Sequence, residues 1–376
     1  MKEYEVKDIP LNHFFSAPLM LDENFILASP EIKITEDFIS LLKEWDFTVV
    51  SSAGEPQGYY SGGGEEERHF VLNDAEKVKE AERYYAGLQQ WTGAALEKAA
   101  VKQPLRFYDA AEKIKEMIEE IGKNRRFLLQ IQKNVAEVSD EDFLISHAVK
   151  SAVISVIIGM SMKLPAHKLI ELGVAALLHE IGMTRLPPYI YLGKGSLKPE
   201  EQDLIYAHPK IGYEILKMND FPMAVCAPAL EHHERENGSG YPYKLRGNAI
   251  GLYSKIIAVA CSYEAITTKR PHKKSEDGYH GMLRLLRNEG KKYDENVLNH
   301  MLRSLSIYPI GQFVMLSNKK KAQVIDVNPD DSRNPIVQVF DEQTVDGKNR
   351  IIVTERRSIY ITNILTEEEI QELQVN

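Results

Sequence analysis

The stretch LGVAALLHEIGM, residues Leu172 to Met183, joins an apolar helical run to two polar side chains at its end. His179 and Glu180 follow the run directly, so they project about 100° apart from a single helical turn. An adjacent imidazole and carboxylate can serve two neighbouring metal ions. Helical periodicity continues on both sides of this stretch, and we therefore predict a helical domain with metal ligands over residues 139–305.

Histidines concentrate around this stretch. Of the 11 histidines in the chain, six lie between residues 147 and 233, namely His147, His167, His179, His208, His232 and His233. A single histidine on an apolar helix is more often a packed core residue than a ligand, and His167, beside Pro165, fits that interpretation. The order H…HE…H…HH of the others favours metal. Imidazole and carboxylate ligands suit iron, manganese or zinc, and a mixed set of this size suits a dinuclear hydrolytic centre.

The paired histidines lead into a glycine-rich loop, RENGSGYP, residues 235–242. Glycines let the backbone approach a ligand closely, and Tyr241-Pro242 adds an aromatic edge with a fixed bend. A loop of this kind would be weak evidence elsewhere. Here it follows two candidate metal ligands, which predicts that it borders a binding pocket.

These motifs together resemble the HD-GYP branch of the HD-domain metal-dependent phosphohydrolases, a branch associated with bacterial cyclic di-GMP phosphodiesterases. The resemblance covers about residues 139–305, with six motifs in the family's order. The matching residues are His179-Glu180-Ile181-Gly182, His208-Pro209, Gly212, His232-His233-Glu234-Arg235, Asn237-Gly238-Ser239-Gly240-Tyr241-Pro242 and Arg270-Pro271. The resemblance implies an all-α catalytic domain, a di- or tri-nuclear iron or manganese centre, and hydrolysis of cyclic di-GMP to a linear dinucleotide or GMP.

The resemblance also implies a role for each matching residue. The implied metal ligands are His147, His179, Glu180, His208, His232, His233 and, at the position of a further ligand, Cys261. Glu180, together with His179, would hold the attacking hydroxide. Gly240, Tyr241 and Pro242 would border the substrate, and Arg270 and Lys273 would meet its phosphates.

Several residues depart from the family pattern. Glu180 and Cys261 stand where the family has aspartates, and Met183 replaces a lysine. A thiolate at Cys261 can bind iron or zinc, but a small buried hydrophobe on a helix is an equally good interpretation. Phe143 stands where trinuclear members carry a glutamate, which favours two divalent metal ions over three. The resemblance implies Fe or Mn for these ions, and the same ligand types also suit Zn.

The departures leave other functions open. A cyclic di-GMP receptor without turnover would keep the substrate-binding residues Gly240-Tyr241-Pro242, Arg270 and Lys273 while losing metal ligands. A phosphodiesterase for another cyclic dinucleotide would share the same motifs, because these specify phosphodiester chemistry better than a base. A structural scaffold is a third alternative, which six motifs in order disfavour.

Composition limits the partners and the location. The net charge of -9 over 376 residues argues against binding a nucleic-acid polymer, which requires a surplus of Lys and Arg. Two cysteines fit a reducing compartment. The polar start MKEYEVKDIP is unlike a signal peptide, and the apolar runs fall short of the ~20 residues that span a bilayer. We expect a cytoplasmic protein without membrane insertion.

The pattern along the chain predicts a multidomain protein. Residues 1–50 read as a small α/β module, 51–70 as a linker, and 71–138 as long helices that could form a homodimer. The apolar stripe on the second long helix, from Ile114 to Ile131, is more typical of a bundle face than of a coiled coil. The HD-type domain occupies residues 139–305, and 306–376 form a small β-rich module with a terminal helix.

Overall fold

The computed structural model describes the chain except residues 1, 12, 16, 22–25, 29–33, 45–46, 59–74, 135–142, 193–197, 269–275, 329–330, 344–348, 357 and 376. The chain divides into two compact units, Met1–Phe70 and Val71–Asn376.

The first unit is a small α/β module. Its elements are β1 (Lys2–Glu5), β2 (His13–Phe15), β3 (Leu19–Met20), β4 (Ile26–Ala28), α1 (Glu36–Glu44), β5 (Val49–Ser52) and β6 (Pro56–Gly58). One antiparallel sheet has the order β1-β5-β3-β4, and β2 pairs with β6. Leu19, Leu42 and Val50 lie in its core.

The predicted end of this module at residue 50 is too early. Ser51 and Ser52 continue β5 and pair with Glu3 and Lys2 of β1. The Gly, Pro and Ser content suggested a linker, but backbone pairing with distant strands outweighs that local preference. Residues 59–74, the rest of the predicted linker, lie outside the described residues.

The second unit begins with a mostly helical domain. Its helices are α2 (Ala75–Ala100), α3 (Phe107–Asn134), α4 (Phe143–Ser161), α5 (Ala166–Leu178), α6 (Pro188–Leu192), α7 (Pro199–Met218), α8 (Met223–Glu231), α9 (Leu252–Thr267), α10 (Gly278–Arg287) and α11 (Glu295–Leu305). Short 3₁₀ helices cover Ile181–Arg185 and Gly247–Ala249.

Helix α4 is the centre of this domain. It packs against α2, α3, α5, α9 and α11, and its side chains are buried on nearly every face. Within the described chain, α4 is the one helix whose length and composition would allow it to cross a membrane, yet 83% of its apolar window is buried inside the fold. Burial among five helices accounts for its apolar composition.

The long helices α2 and α3 share one hydrophobic core with α4 and α5. Ile114, Met117, Ile121 and Leu128 of the predicted stripe are all buried there, which confirms the bundle face. A Cβ at Gly173 would lie 2.4 Å from Ile114 Cγ2, so this glycine lets α3 approach α5 closely. The boundary predicted at residue 138 therefore does not separate two hydrophobic cores.

A small antiparallel sheet follows, as predicted. Its strands are β7 (Phe313–Leu316), β8 (Lys321–Asp326), β9 (Ile336–Gln343), β10 (Asn349–Val353) and β11 (Ile361–Ile364), in the order β10-β9-β8-β7-β11. The chain continues into α12 (Glu367–Val375). Val314, Val324 and Val337 alternate inward and form a separate small core.

Candidate metal centre

Five histidines and one glutamate converge from four parts of the helical domain. His147 lies on α4, His179 and Glu180 follow α5, His208 lies on α7, and His232 and His233 follow α8. The ends of α5 and α8 place ligands on short turns, while α4 and α7 supply one each from within a helix. Residues separated by up to 86 positions in the chain thus meet at one place.

Three of the histidines are oriented by their own helices. In each, Nδ1 lies at hydrogen-bonding distance from a carbonyl oxygen three or four residues earlier. The distances are 2.7 Å from His179 to Ala176, 2.5 Å from His208 to Ile205, and 3.1 Å from His232 to both Pro228 and Ala229. With Nδ1–H as the donor, Nε2 keeps its lone pair and faces away from the helix, as a metal ligand requires.

His147 is oriented by a carboxylate instead. Its Nδ1 hydrogen-bonds Oε2 of Glu264 on α9, while its Nε2 lies 3.8 Å from Oε1 of Glu180. Glu264 is 2% exposed. A carboxylate behind a ligating histidine fixes the ring's tautomer and orientation. The sequence motifs did not predict a role for Glu264. An acidic residue within the apolar run of α9 is the feature of the sequence that points to it.

Glu180 belongs to both of the ligand groups that the described residues form. One group holds Glu180, His208, His232 and His233, and the other holds His147, His179 and Glu180, with the ligand atoms of each group within 4.8 Å of one another. Glu180 Oε2 lies 3.2 Å from Nε2 of His208, and Oε1 lies 3.9 Å from Nε2 of His179. A shared carboxylate between two imidazole sets is the arrangement that a dinuclear centre needs.

A close backbone approach brings the two ligand groups together. A Cβ at Gly182 would lie 2.0 Å from the carbonyl oxygen of His208 and 2.7 Å from the amide nitrogen of Gly212. Only glycine fits this contact. The 3₁₀ helix after Glu180 therefore rests directly on α7, which places Glu180 beside His208.

Burial and neighbouring charges shift the pKa values of these side chains toward the protonation states that metal binding requires. Burial, only partly opposed by Glu180, lowers the pKa of His179 to about 4. Burial alone would raise the pKa of Glu180, but the neighbouring His208 and His179 outweigh it and lower that pKa to about 2. Burial and its histidine neighbours also lower the pKa of His232. Neutral imidazoles around an ionised carboxylate are the protonation states of metal ligands.

An unpaired nitrogen supports the same interpretation. Within the described chain, Nε2 of the fully buried His179 has no hydrogen-bond partner. A buried polar atom without a partner is costly unless something else satisfies it. A metal ion at this position would do so, and the donor set around Glu180 fits one.

The glycine-rich loop lies against the centre. The ring of Tyr241 stacks on His233 with 4.5 Å between centroids and 17° between planes. A Cβ at Gly240 would lie 2.4 Å from the carbonyl oxygen of His233, so the loop backbone touches the ligand segment. The buried Glu234 holds the loop by accepting hydrogen bonds from the amides of Tyr243 (2.7 Å) and Leu245 (2.9 Å).

Other predicted site residues are placed differently. Cys261 is buried on α9, where its thiol donates to the carbonyl oxygen of Ala258 at 3.6 Å, and among the described residues it belongs to neither ligand group. Arg270 and Lys273 lie outside the described residues. The half-buried Pro242 follows Tyr241 in the loop. Phe143 opens α4, and its ring stacks on His147 at 5.9 Å.

Comparison with known proteins identifies the helical domain. Residues 131–297 match the model of the HD domain family. The chain is 31% identical over 196 residues to the cyclic di-GMP phosphodiesterase PdeB of Borreliella burgdorferi, covering 52% of each protein. Residues 131–297 therefore form an HD domain, the domain that the HD-GYP resemblance implies. This confirms the HD-domain family predicted from the motifs.

Other relatives of this HD-domain protein are named for other cyclic dinucleotides. It is 30% identical over 183 residues to 3'3'-cGAMP-specific phosphodiesterase 1 of Vibrio cholerae, covering 48% of this chain and 42% of that protein. Among solved structures, Bd1817 of Bdellovibrio bacteriovorus, described as an HDG"Y"P protein, matches with a TM-score of 0.48 and 14% identity over 80% of this chain and 97% of that one. The chain spans about half the length of the curated relatives it matches.

Proposed function

We propose that this protein is a metal-dependent phosphodiesterase that hydrolyses cyclic di-GMP to a linear dinucleotide or GMP. The observation that carries the proposal is the pair of ligand groups that share Glu180. Hydrolysis of a phosphodiester needs a positioned water and stabilisation of charge on phosphate, and a dinuclear centre serves both. The names of relatives such as PdeB support cyclic di-GMP as the substrate.

The centre would hold two divalent transition metal ions, Fe or Mn, with Zn as a further option. The bound ions would lower the pKa of a water molecule and so provide a hydroxide at neutral pH. Four of the histidines would offer Nε2, because their Nδ1 atoms are engaged in hydrogen bonds: His147, His179, His208 and His232. His233 would offer a ring nitrogen, and Glu180 an oxygen to each side. Cys261 stays a predicted ligand.

Other steps of the reaction would depend on side chains that position the water and bind the substrate. Glu180 and His179 form the proposed catalytic pair: the ionised carboxylate would accept a hydrogen bond from the attacking water, and Nε2 of His179, 3.9 Å from Oε1 of Glu180, would bind the metal that activates this water. Tyr241 borders the pocket beside His233 and would meet a base or ribose of the substrate. Arg270 and Lys273 stay predicted phosphate-binding residues, whose donors would stabilise the developing charge.

The setting follows from the same proposal. A cyclic di-GMP phosphodiesterase acts in bacterial second-messenger signalling, and we expect it in the cytoplasm without membrane insertion. A net charge of -9 disfavours nucleic-acid polymers as partners. A homodimer through α2 and α3 stays a prediction; the buried stripe on α3 already packs within its own chain, so a dimer would use other faces of these helices.

The test measures metal and turnover on one preparation. We expect about two metal ions per chain after anaerobic purification, and release of a linear dinucleotide or GMP from cyclic di-GMP. The double variant His232→Ala, His233→Ala should lose both metal and turnover, whereas His167→Ala, a histidine exposed on α5, should keep both. Unchanged hydrolysis in the double variant would refute the proposal.

A receptor without turnover is the second candidate. It is favoured by Cys261, which belongs to neither ligand group among the described residues, and by the buried apolar Met183. Measuring binding and hydrolysis of cyclic di-GMP on the same sample separates the two functions, since a receptor binds without forming product. Parallel hydrolysis assays with cyclic di-AMP and 3'3'-cGAMP test the remaining alternative, that another cyclic dinucleotide is the substrate.

A further inference from the structure

A series of aromatic rings leads from the metal centre to the protein surface. His233 stacks on Tyr241, and the centroid of Tyr241 lies 4.5 Å from that of Tyr206 with 49° between the rings. Tyr206 lies on α7 and is 46% exposed. A partly exposed aromatic ring thus lies two rings away from the candidate metal ligand His233.

A cation lies next to this exposed ring. Lys210 is exposed one turn after Tyr206 on α7, so the two side chains share a helix face. Its Nζ lies 5.1 Å from the ring centroid of Tyr243, which is 56% exposed. The ammonium group of Lys210 therefore lies over one exposed tyrosine, and its residue lies one helical turn from another.

We propose that Tyr206 and Lys210 form a purine-binding subsite beside the metal centre. The inference rests on the proposed function, since a cyclic dinucleotide carries a purine base next to each phosphate. With a phosphate at the metal centre, its neighbouring base stacks on the exposed face of Tyr206. Stacking on aromatic side chains is a common means of holding unpaired bases.

Lys210 gives the subsite a preference for guanine. The ammonium group is a hydrogen-bond donor only. Guanine presents two acceptors, O6 and N7, on one edge, whereas adenine presents the acceptor N7 beside the N6 amino donor. Lys210 therefore binds the guanine edge without conflict and meets a donor on adenine.

The stacking role of Tyr206 is tested by equilibrium binding. The probe is a phosphorothioate analogue of cyclic di-GMP, which resists hydrolysis, added to the Mn²⁺-loaded protein. We expect Tyr206→Ala to raise Kd about tenfold, the effect of losing one base–aromatic stack. Tyr206→Phe keeps the ring and should bind within about threefold of the unaltered protein, because stacking does not use the hydroxyl. Tyr108→Ala, which removes an exposed tyrosine of α3, is the matched control and should leave Kd unchanged.

The outcomes separate the subsite from the proposed function. An unaltered protein that does not bind the analogue would overturn the substrate and the subsite together. Tight binding that Tyr206→Ala leaves unchanged would overturn the subsite alone. An equal loss of affinity in Tyr206→Ala and Tyr206→Phe would also refute stacking. The variant that keeps the aromatic ring would then bind no better than the one that lacks it.

The role of Lys210 is tested by discrimination between bases. We expect Lys210→Met to lower the ratio of the Kd for cyclic di-AMP to that for cyclic di-GMP by about tenfold, the size of a hydrogen bond from a charged donor. Lys217→Met is the matched control, because Lys217 lies on the same helix with its Nζ 5.5 Å from the ring centroid of Tyr213. An unchanged ratio in Lys210→Met, or an equal change in both variants, would refute the guanine contact.

Discussion

Glu264 hydrogen-bonds Nδ1 of His147 although the two residues lie 117 positions apart in the chain. The contact joins α9 to α4 behind the metal centre and leaves Nε2 of His147 directed toward Glu180. A metal-binding imidazole is commonly held by such a carboxylate, which sets its tautomer and its basicity. Glu264 is therefore a positioning residue, and its loss should change metal affinity before it changes the fold.

Replacing Glu264 tests this positioning role. We expect Glu264→Ala to weaken Mn²⁺ binding by about 10- to 100-fold, because the ring of His147 loses its support. Glu264→Gln keeps an acceptor and should lose less. Isothermal titration with Mn²⁺ measures both, and Glu171→Ala is the control, since Glu171 accepts a hydrogen bond from Tyr253 in a similar way on α5. Equal affinity in all the variants would contradict the role.

Glu180 should determine how many metal ions are bound. Because it belongs to both ligand groups, Glu180→Gln weakens both sides of the centre at once. We expect the metal content to fall from about two ions per chain to one or fewer, and hydrolysis to fall about 100-fold or more. Elemental analysis of the purified variant gives the stoichiometry. Two retained ions would show that the histidines alone hold the centre.

The close approach at Gly182 predicts a stability effect. A Cβ there would lie 2.0 Å from the carbonyl oxygen of His208, and backbone cannot move aside as a flexible side chain can. We expect Gly182→Ala to lower the free energy of unfolding by about 1–3 kcal/mol or more, as overpacking does. Denaturant unfolding followed by circular dichroism measures it.

Gly87 provides the control for that substitution. A Cβ at this position on α2 would meet nothing within 4 Å. Gly87→Ala should therefore raise the free energy of unfolding by about 0.5–1 kcal/mol, since alanine loses less backbone entropy in a helix. If Gly182→Ala were as stable as Gly87→Ala, the contact between the 3₁₀ helix and α7 would not be as close as described.

Asp326 on β8 should make stability depend on pH. Its burial raises the pKa of the carboxyl, outweighing the hydrogen bond from the Val327 amide and the charge of Arg126. The pKa of Asp326 is higher in the folded than in the unfolded protein. Its protonated carboxyl therefore makes its full contribution to the free energy of unfolding below the unfolded pKa, and this contribution is lost as the pH rises through the folded pKa. Through Asp326, a rise in pH above the unfolded pKa therefore destabilises the fold.

Asp326→Asn removes the ionisable group and keeps an acceptor for the Val327 amide. We expect the variant to unfold at a higher temperature than the unaltered protein at pH 7, with the difference shrinking as the pH is lowered toward 4. Thermal unfolding across this range is the measurement, and Asp203→Asn, an exposed carboxyl on α7, should show no such trend. An increase of the same size at every pH would contradict the explanation.

Sequence patterns were sufficient to predict the clustered His and Glu side chains and the long helices. The order of His147, His179, Glu180, His208 and His232 along the chain predicted a metal centre, and the structure brings these side chains together. The spacing of Ile114, Met117 and Ile121 predicted a buried helix face, which is confirmed. The helix face follows from the period of the α-helix itself, whereas the candidate ligands were recognised from their residue types and from their order, which resembles that of a family.

Long-range contacts decided the rest. The sequence by itself determined which residue types could bind metal, because imidazole and carboxylate chemistry does not depend on the fold. Only the tertiary structure decided that Glu180 is shared between two groups, that Glu264 supports His147, and that Tyr206 extends the aromatic series from His233. These relationships join residues on different helices, and their distances follow from how the helices pack, as at Gly182 against α7, rather than from spacing along the chain.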